Sequence, residues 1–192
     1  MLAPPTATTC CSRKAASEDL AVRRRAYRQP ARVIRPARRD DLPAIYQLIR
    51  DLAAYERSLP EVTGTQQDLA GALFGPQPAI FAHVADHGGQ VAGFALWYLS
   101  YSTWQGKHGI YLEDLYVEPA HRRRGYGRRL LAELAALCVE RGYGRLEWSV
   151  LDWNAPAIAF YASLGAIAMD EWTVHRVTGP ALRALAGSRP PG

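Results

Sequence analysis

An apolar strand, an arginine-rich glycine loop and an apolar helix follow one another without interruption near the middle of this chain. Ile110-Tyr-Leu-Glu-Asp-Leu-Tyr-Val117 reads as a strand and Arg122-Arg-Arg-Gly125-Tyr-Gly127 as the loop. Leu130, Leu131, Leu134, Leu137 and Cys138 then recur at i, i+1, i+4, i+7 and i+8, the stripe of a helix over 124–141. A glycine loop that opens a helix leaves backbone N–H groups at the helix's positive end, where an anion binds. Glycine lets a ligand approach the backbone closely, and arginines add charge-assisted donors for phosphate. The pattern therefore predicts a pyrophosphate held between strand and helix, or else only a tight strand-to-helix connection. It is neither a Walker loop nor a dinucleotide fingerprint, because the glycine spacing differs from both.

Around this centre the chain alternates short elements. Val33–Pro36 reads as a strand ended by proline. Asp40 or Asp41 can cap a helix carrying Leu42, Ile45, Leu48, Ile49 and Leu52. Thr65-x-x-Asp68 resembles a capping box opening a second helix that runs to Leu73. Strands are expected over Ala79–Ala85 and Val91–Tyr101, joined by a turn at His87-Gly-Gly89. A loop over 102–109 holds Trp104. After the central helix come a strand over Arg145–Leu151, a helix capped by Asn154 and stopped by Gly165, a strand over Met169–Val177 and a short helix near Leu182–Leu185. The order β-α-α-β-β-β-α-β-α-β suits an α/β (α+β) domain over residues 32–187, with a mixed, mostly antiparallel sheet flanked by helices.

Composition narrows the setting. The chain has 192 residues and a formal net charge of +5. Residues 1–32 alone hold seven Lys/Arg against two acids, so they supply that charge and the rest is formally neutral. The basic character belongs to an N-terminal extension, residues 1–31, which lacks apolar periodicity and is read as disordered. A nucleic-acid arm is the less favoured reading of it, and it lacks the apolar run of a secretory signal. Residues 188–192 are read as a frayed tail. No apolar run reaches membrane-spanning length, so no membrane partner is expected. Cys10, Cys11 and Cys138 make neither a disulfide framework nor a metal site, which suits a reducing cytoplasm.

Glu113 and Asp114 interrupt the apolar strand. Alternation sends adjacent side chains to opposite faces, and an unpartnered buried carboxylate is costly. The pair therefore marks a cleft, a cationic partner, or an ion pair with nearby arginines.

Arg122-x-x-Gly125-x-Gly127 resembles the coenzyme A loop of the GNAT superfamily of N-acetyltransferases. Val33-Ile-Arg-Pro-Ala37, Tyr55-Glu56, Val91-Ala-Gly-Phe-Ala95, Tyr111-Leu-Glu-Asp114, Trp153-Asn154-x-Pro156 and Phe160-Tyr161 with Gly165-Ala166 extend the likeness. Together they resemble the diamine branch, which includes spermidine/spermine and thialysine N-acetyltransferases. The resemblance implies a GNAT-like acyl-CoA N-acyltransferase fold, acetyl-CoA as cosubstrate, a small-molecule amine substrate and a homodimer; no metal is expected, because no His/Cys cluster has ligand spacing.

It also assigns roles. Glu113 would remove the amine's proton through water, and Tyr161 would protonate the departing thiolate; by periodicity alone Tyr161 could equally pack with Ile158 and Leu164. Leu115, Tyr116 and Val117 would pair with the pantetheine arm as an added strand does. Arg122, Arg123, Arg124, Gly125, Tyr126, Gly127 and Arg128 would hold the pyrophosphate, and Asn154, Ala155, Pro156 and Ala157 would line the cofactor. Tyr55, Glu56, Glu113, Asp114, Glu147, Trp148, Ser149 and Asp170 would face the amine. Trp104 could wall the cleft or anchor its loop. One departure matters: Arg57 follows Tyr55-Glu56 where the polyamine enzymes carry acids, which favours a shorter or singly charged amine. Acetylation of a protein N-terminus or lysine, and a non-catalytic acyl-CoA-binding regulatory module, are the alternatives.

Overall fold

A computed structural model describes residues 33–189. The basic extension over 1–31, Cys10, Cys11 and the end of the tail lie outside the described residues. The chain divides into two units, one ending at Ser149 and one beginning at Val150.

The first unit is built on a five-stranded sheet. Its strands are β1 (Ile34–Pro36), β2 (Phe81–His87), β3 (Gln90–Ser102), β4 (Lys107–Val117) and β5 (Leu146–Trp148). They lie in sequence order, antiparallel up to β4, with β5 parallel to β4. The helices are α1 (Leu42–Tyr55), α2 (Gln66–Phe74) and α3 (Tyr126–Glu140). The apolar stripe of α1 buries Leu42, Ile45 and Leu48 against Ala82 and Val84 of β2, Phe94 and Leu96 of β3, and Ala70 and Leu73 of α2. The alternate side chain of β2, His83, feels the charge of Glu133 on α3. The sheet thus carries helices on both faces, and α3 buries Leu130, Leu131, Leu134 and Cys138 as its periodicity predicts.

Two helix starts illustrate what spacing can and cannot specify. At α2, Thr65 Oγ1 accepts the Asp68 N–H at 3.2 Å, and the Asp68 carboxylate accepts the Thr65 N–H at 2.8 Å. The expected capping box is formed. Replacing Thr65 with Ala is expected to cost about 1 kcal/mol, read as a lower midpoint in urea with an unchanged slope. At α1, Asp41 holds the capping position but takes no cap bond from that helix. Its carboxylate instead takes two bonds from the Arg35 guanidinium, at 2.6 and 2.9 Å, and one from the Arg38 N–H at 2.7 Å. A bidentate charge-assisted pair is stronger than a cap, so it wins the side chain.

The expected 102–109 loop is a hairpin turn. Ser102 already pairs with Lys107, and Trp104 stands 89% exposed at its tip. The Arg145–Leu151 strand shrinks to three residues.

The second unit contains α4 (Ala155–Ala162) and α5 (Gly179–Gly187). Asn154 caps α4 by accepting the Ala157 N–H at 3.3 Å, and Gly165 follows it with φ +84°. The strand expected over Met169–Val177 does not form: the segment has no regular structure, and Met169 and Val174 are exposed. A strand exists only where another backbone satisfies its N–H and C=O groups. Side-chain pattern cannot provide that partner.

Candidate functional site

Strand β4 carries the two features on which a site depends. The first is a bulge. Asp114 pairs with Leu96 and Leu112 with Trp97, so Glu113 is the extra residue on β4. A bulge removes its residue from the ladder and re-aims the side chain. The second is an early parting of strands. β4 pairs with β3 as far as Val117 but with β5 only through Ile110, Tyr111 and Leu112. Residues 113–117, including Leu115, Tyr116 and Val117, therefore have no strand on their β5 side among the described residues. That backbone edge is available for an added strand.

The acids gather beside this bulge. Burial pushes the Asp114 carboxyl up to about 6, helped by the charges of Glu113 and Glu56. Glu56, at the end of α1, is half-buried, and burial raises its pKa as well. Glu56, Glu113 and Asp114 thus interact as one negative cluster, drawn from α1 and from β4. Next to it, Tyr98 and Tyr111 stack with ring centroids 5.2 Å apart, and the Tyr111 hydroxyl meets Ser149 Oγ at 2.7 Å. Tyr98 is pushed upward by burial and by Glu113. Tyr98 went unnoticed in the sequence because only the β3–β4 register sets it opposite Tyr111. Glu147 stands opposite Tyr111 in the register, but its carboxylate pairs with Arg145 Nε at 2.7 Å. Trp148 ends β5 and is half-buried. Tyr55 closes α1 and is 39% exposed.

The loop after β4 has the features expected of an anion site. Gly125 adopts φ +79° as the N-cap of α3, and no side chain caps the helix. Arg123 is also left-handed, at φ +61°. The first-turn N–H groups of Tyr126, Gly127 and Arg128 have no intrahelical acceptor. Space is open where a Cβ at Gly125 would lie. Arg123, Arg124 and Arg128 are exposed, and the first turn has no acid. An uncapped helix start ringed by cations fits a pyrophosphate.

Arg122 is placed differently from its loop neighbours. Its Nε donates to the Val117 carbonyl at 3.0 Å, and its guanidinium lies 5.4 Å from both the Tyr55 and Tyr116 ring centroids. It joins the end of α1 to the end of β4.

In the second unit, Tyr161 lies on α4, half-buried, with its ring tilted against Phe160 at 5.4 Å. Asn154 is buried at the helix start, and Ala155, Pro156 and Ala157 form the first turn. Asp170 is exposed in the irregular segment. Among the described residues no group of His, Cys, Asp and Glu is gathered to hold a metal. No helix there is long and apolar enough to cross a membrane.

Known proteins place this arrangement. The profile of the acetyltransferase (GNAT) family matches residues 42–166. The thialysine N-epsilon-acetyltransferase of Bos taurus is 38% identical over 166 residues, covering 81% of this chain and 97% of the relative. The L-ornithine N5-acetyltransferase of Arabidopsis thaliana is 32% identical, covering 79% of this chain and 86% of the relative. An integron cassette protein from the mobile metagenome of V. cholerae superposes with a TM-score of 0.68 at 27% identity, over 81% of this chain and 97% of that one. With its bulged β4, its parted strands and its uncapped basic helix start, the chain belongs to the GNAT family of acetyltransferases and is an acyltransferase enzyme.

Proposed function

We propose that this protein transfers the acetyl group of acetyl-CoA to a primary amine of a small substrate, by direct attack in a ternary complex. The observation that carries this reading is the placing of opposite charges on β4 and on the loop that follows it. The bulge of β4 carries Glu113 beside Asp114, and the basic helix start lies beyond the strand's end. One end attracts a cation and the other an anion.

Acetyl-CoA supplies an activated thioester; the chain supplies orientation and proton handling. Arg123, Arg124, Arg128 and the Gly125–Gly127 backbone hold the pyrophosphate, and the free edge of β4 at Leu115–Val117 takes the pantetheine arm. Asn154–Ala157 complete the cofactor contacts by their match to the family motif. A lysine-like amine has a pKa of about 10.4, so roughly one molecule in a few thousand carries a free lone pair at pH 7. Glu113 accepts that surplus proton through water, the amine nitrogen bonds to the acetyl carbon, and the carbon–sulfur bond breaks. Tyr161 gives a proton to the departing sulfur, the nitrogen sheds its second proton as the amide forms, and one proton returns to Tyr161 through water. Glu56 and Asp114 hold the cation, and Tyr55, Glu147, Trp148, Ser149 and Asp170 complete its surroundings.

The amine is short. Arg57 sits directly after Glu56, and a cation there opposes a multiply charged chain. Both quoted relatives act on amino acids with a side-chain amine, thialysine and ornithine, which suits a substrate of that size. A cytoplasmic homodimer completes the reading.

The test is acetyl-CoA-dependent thiol release with thialysine, ornithine, lysine, putrescine, spermidine and a basic peptide. Turnover of a small monoamine or diamine, lost by a factor of about 100 or more in Tyr161→Phe, is the expected result. Turnover of the peptide alone would move the protein to the protein acetyltransferases. Coenzyme A binding without turnover would make it a regulatory module.

A further inference from the structure

The coenzyme loop is flanked by two side chains that meet on a third. His121 stands just before the loop, at the end of a short 3-10 turn (Pro119–His121), and Tyr126 stands near its other end, as the first residue of α3. Both lie against His87, the last residue of β2. The His87 Nδ1 and the Tyr126 hydroxyl are 2.7 Å apart. The His87 and His121 rings have centroids 4.7 Å apart, and the His87 and Tyr126 rings meet edge-on at 6.1 Å. Tyr126 is only 7% exposed, so its hydroxyl needs a partner, and His87 is that partner.

His87 is itself held. The following Gly88 and Gly89 both take positive φ and turn the chain into β3. The Asp86 carboxylate accepts the Gly89 N–H at 2.8 Å with one oxygen and Arg35 Nε at 3.1 Å with the other. The imidazole thus projects from a tight hairpin that an ion pair fastens to β1. On the far side, Glu118 lies 3.5 Å from His121 Nε2.

We propose that His87 is a positioning residue that preorganises the coenzyme loop by gripping it at both ends, through Tyr126 and His121. The inference rests on the reading that this loop binds the phosphates of acetyl-CoA. Its physical content is entropic. Gly125 leaves the loop free to adopt several backbone shapes and Arg123 holds a left-handed one that it disfavours, while anion binding needs one shape with its N–H groups convergent. Fixing both ends lowers the ordering cost at the moment of binding, and affinity rises by that amount. No group of the latch has to touch the reacting atoms.

The experiment measures coenzyme A binding calorimetrically, and initial rates against each substrate, for the full chain. Wild-type protein should bind coenzyme A. His87→Ala should weaken that binding and raise the acetyl-CoA KM about five- to tenfold, the scale of one lost hydrogen bond plus released loop order. The amine KM and the kcat at saturating acetyl-CoA should stay unchanged. Tyr126→Phe, which removes a single oxygen, should weaken coenzyme A binding to a similar degree, and the double variant should be no worse than either single one. His87→Asn, which keeps a polar atom near the Nδ1 position, should recover part of the affinity. A wild-type protein that fails to bind coenzyme A overturns the reading of the loop. If the wild type binds and both single variants bind within twofold of it, the latch is overturned while that reading stands. A parallel rise in both KM values, or additive losses in the double variant, also overturns it.

Discussion

Glu113→Gln is expected to lower kcat/KM for the amine by about two to three orders of magnitude, the range for loss of a positioned proton acceptor. Its pH profile carries a sharper signature. The Asp114 carboxyl is pushed up to about 6 by burial, then by Glu113 and Glu56. Below that pH Asp114 is neutral and the cluster holds a cation less strongly, so the amine KM should fall as pH rises from 5 to 7. In Glu113→Gln one of the opposing charges is gone, and this limb should move to lower pH. In Asp114→Asn the limb should vanish. An unshifted limb in Glu113→Gln would show that the two carboxylates do not share a site.

Asp114 also links the site to stability. A carboxyl whose folded pKa is raised binds its proton more tightly in the folded state than in the unfolded chain. Its contribution is therefore most favourable below about pH 4 and is lost as pH rises to about 6. Asp114→Asn should gain stability at pH 7, by about 3 kcal/mol on the scale of that shift. On the proposed function, that destabilising charge is kept for a cationic substrate to meet.

Arg35→Ala is expected to lower stability by about 3 kcal/mol, which for a domain of this size moves Tm by roughly 6–12 °C. One guanidinium holds Asp41 in two bonds and Asp86 in a third. The side chains of Arg35 and Asp41 are only 17% and 9% exposed, so removing the arginine leaves a nearly buried carboxylate with the Arg38 N–H still donating to it. Burial raises the Asp41 pKa, but Arg35 and the Arg38 N–H outweigh it and hold it below its usual 3.8. That stabilisation is present above the unfolded pKa and is lost as pH falls through the folded one. The Arg35→Ala penalty should therefore shrink in acid, below about pH 4. Arg35→Lys should recover little, because an ammonium cannot bond both oxygens of Asp41 and reach Asp86 as well. A penalty that is constant from pH 7 to pH 3 would locate the effect elsewhere. Loss of Arg35 should also loosen the hairpin that carries His87, and so weaken coenzyme A binding.

Local pattern was enough wherever a structure depends on near neighbours in the chain. The stripe Leu130–Cys138 buries on α3, Thr65 and Asp68 close their box, Asn154 caps α4, and Gly125 turns into the helix with positive φ. Each depends on residues within about one helical turn, so spacing alone defines it. The family, too, was legible in the order of its motifs. What the sequence could not settle were choices between partners more than a helical turn apart. Asp41 left its cap for Arg35, six residues earlier in β1. Tyr98 reached Tyr111, and Glu113 left the ladder, because a register of two strands decided it. Met169–Val177 carried a strand's composition but takes no regular structure. His87 looked like no more than the start of a turn, and only the tertiary structure brought it between His121 and Tyr126, because long-range contacts follow from packing and not from spacing.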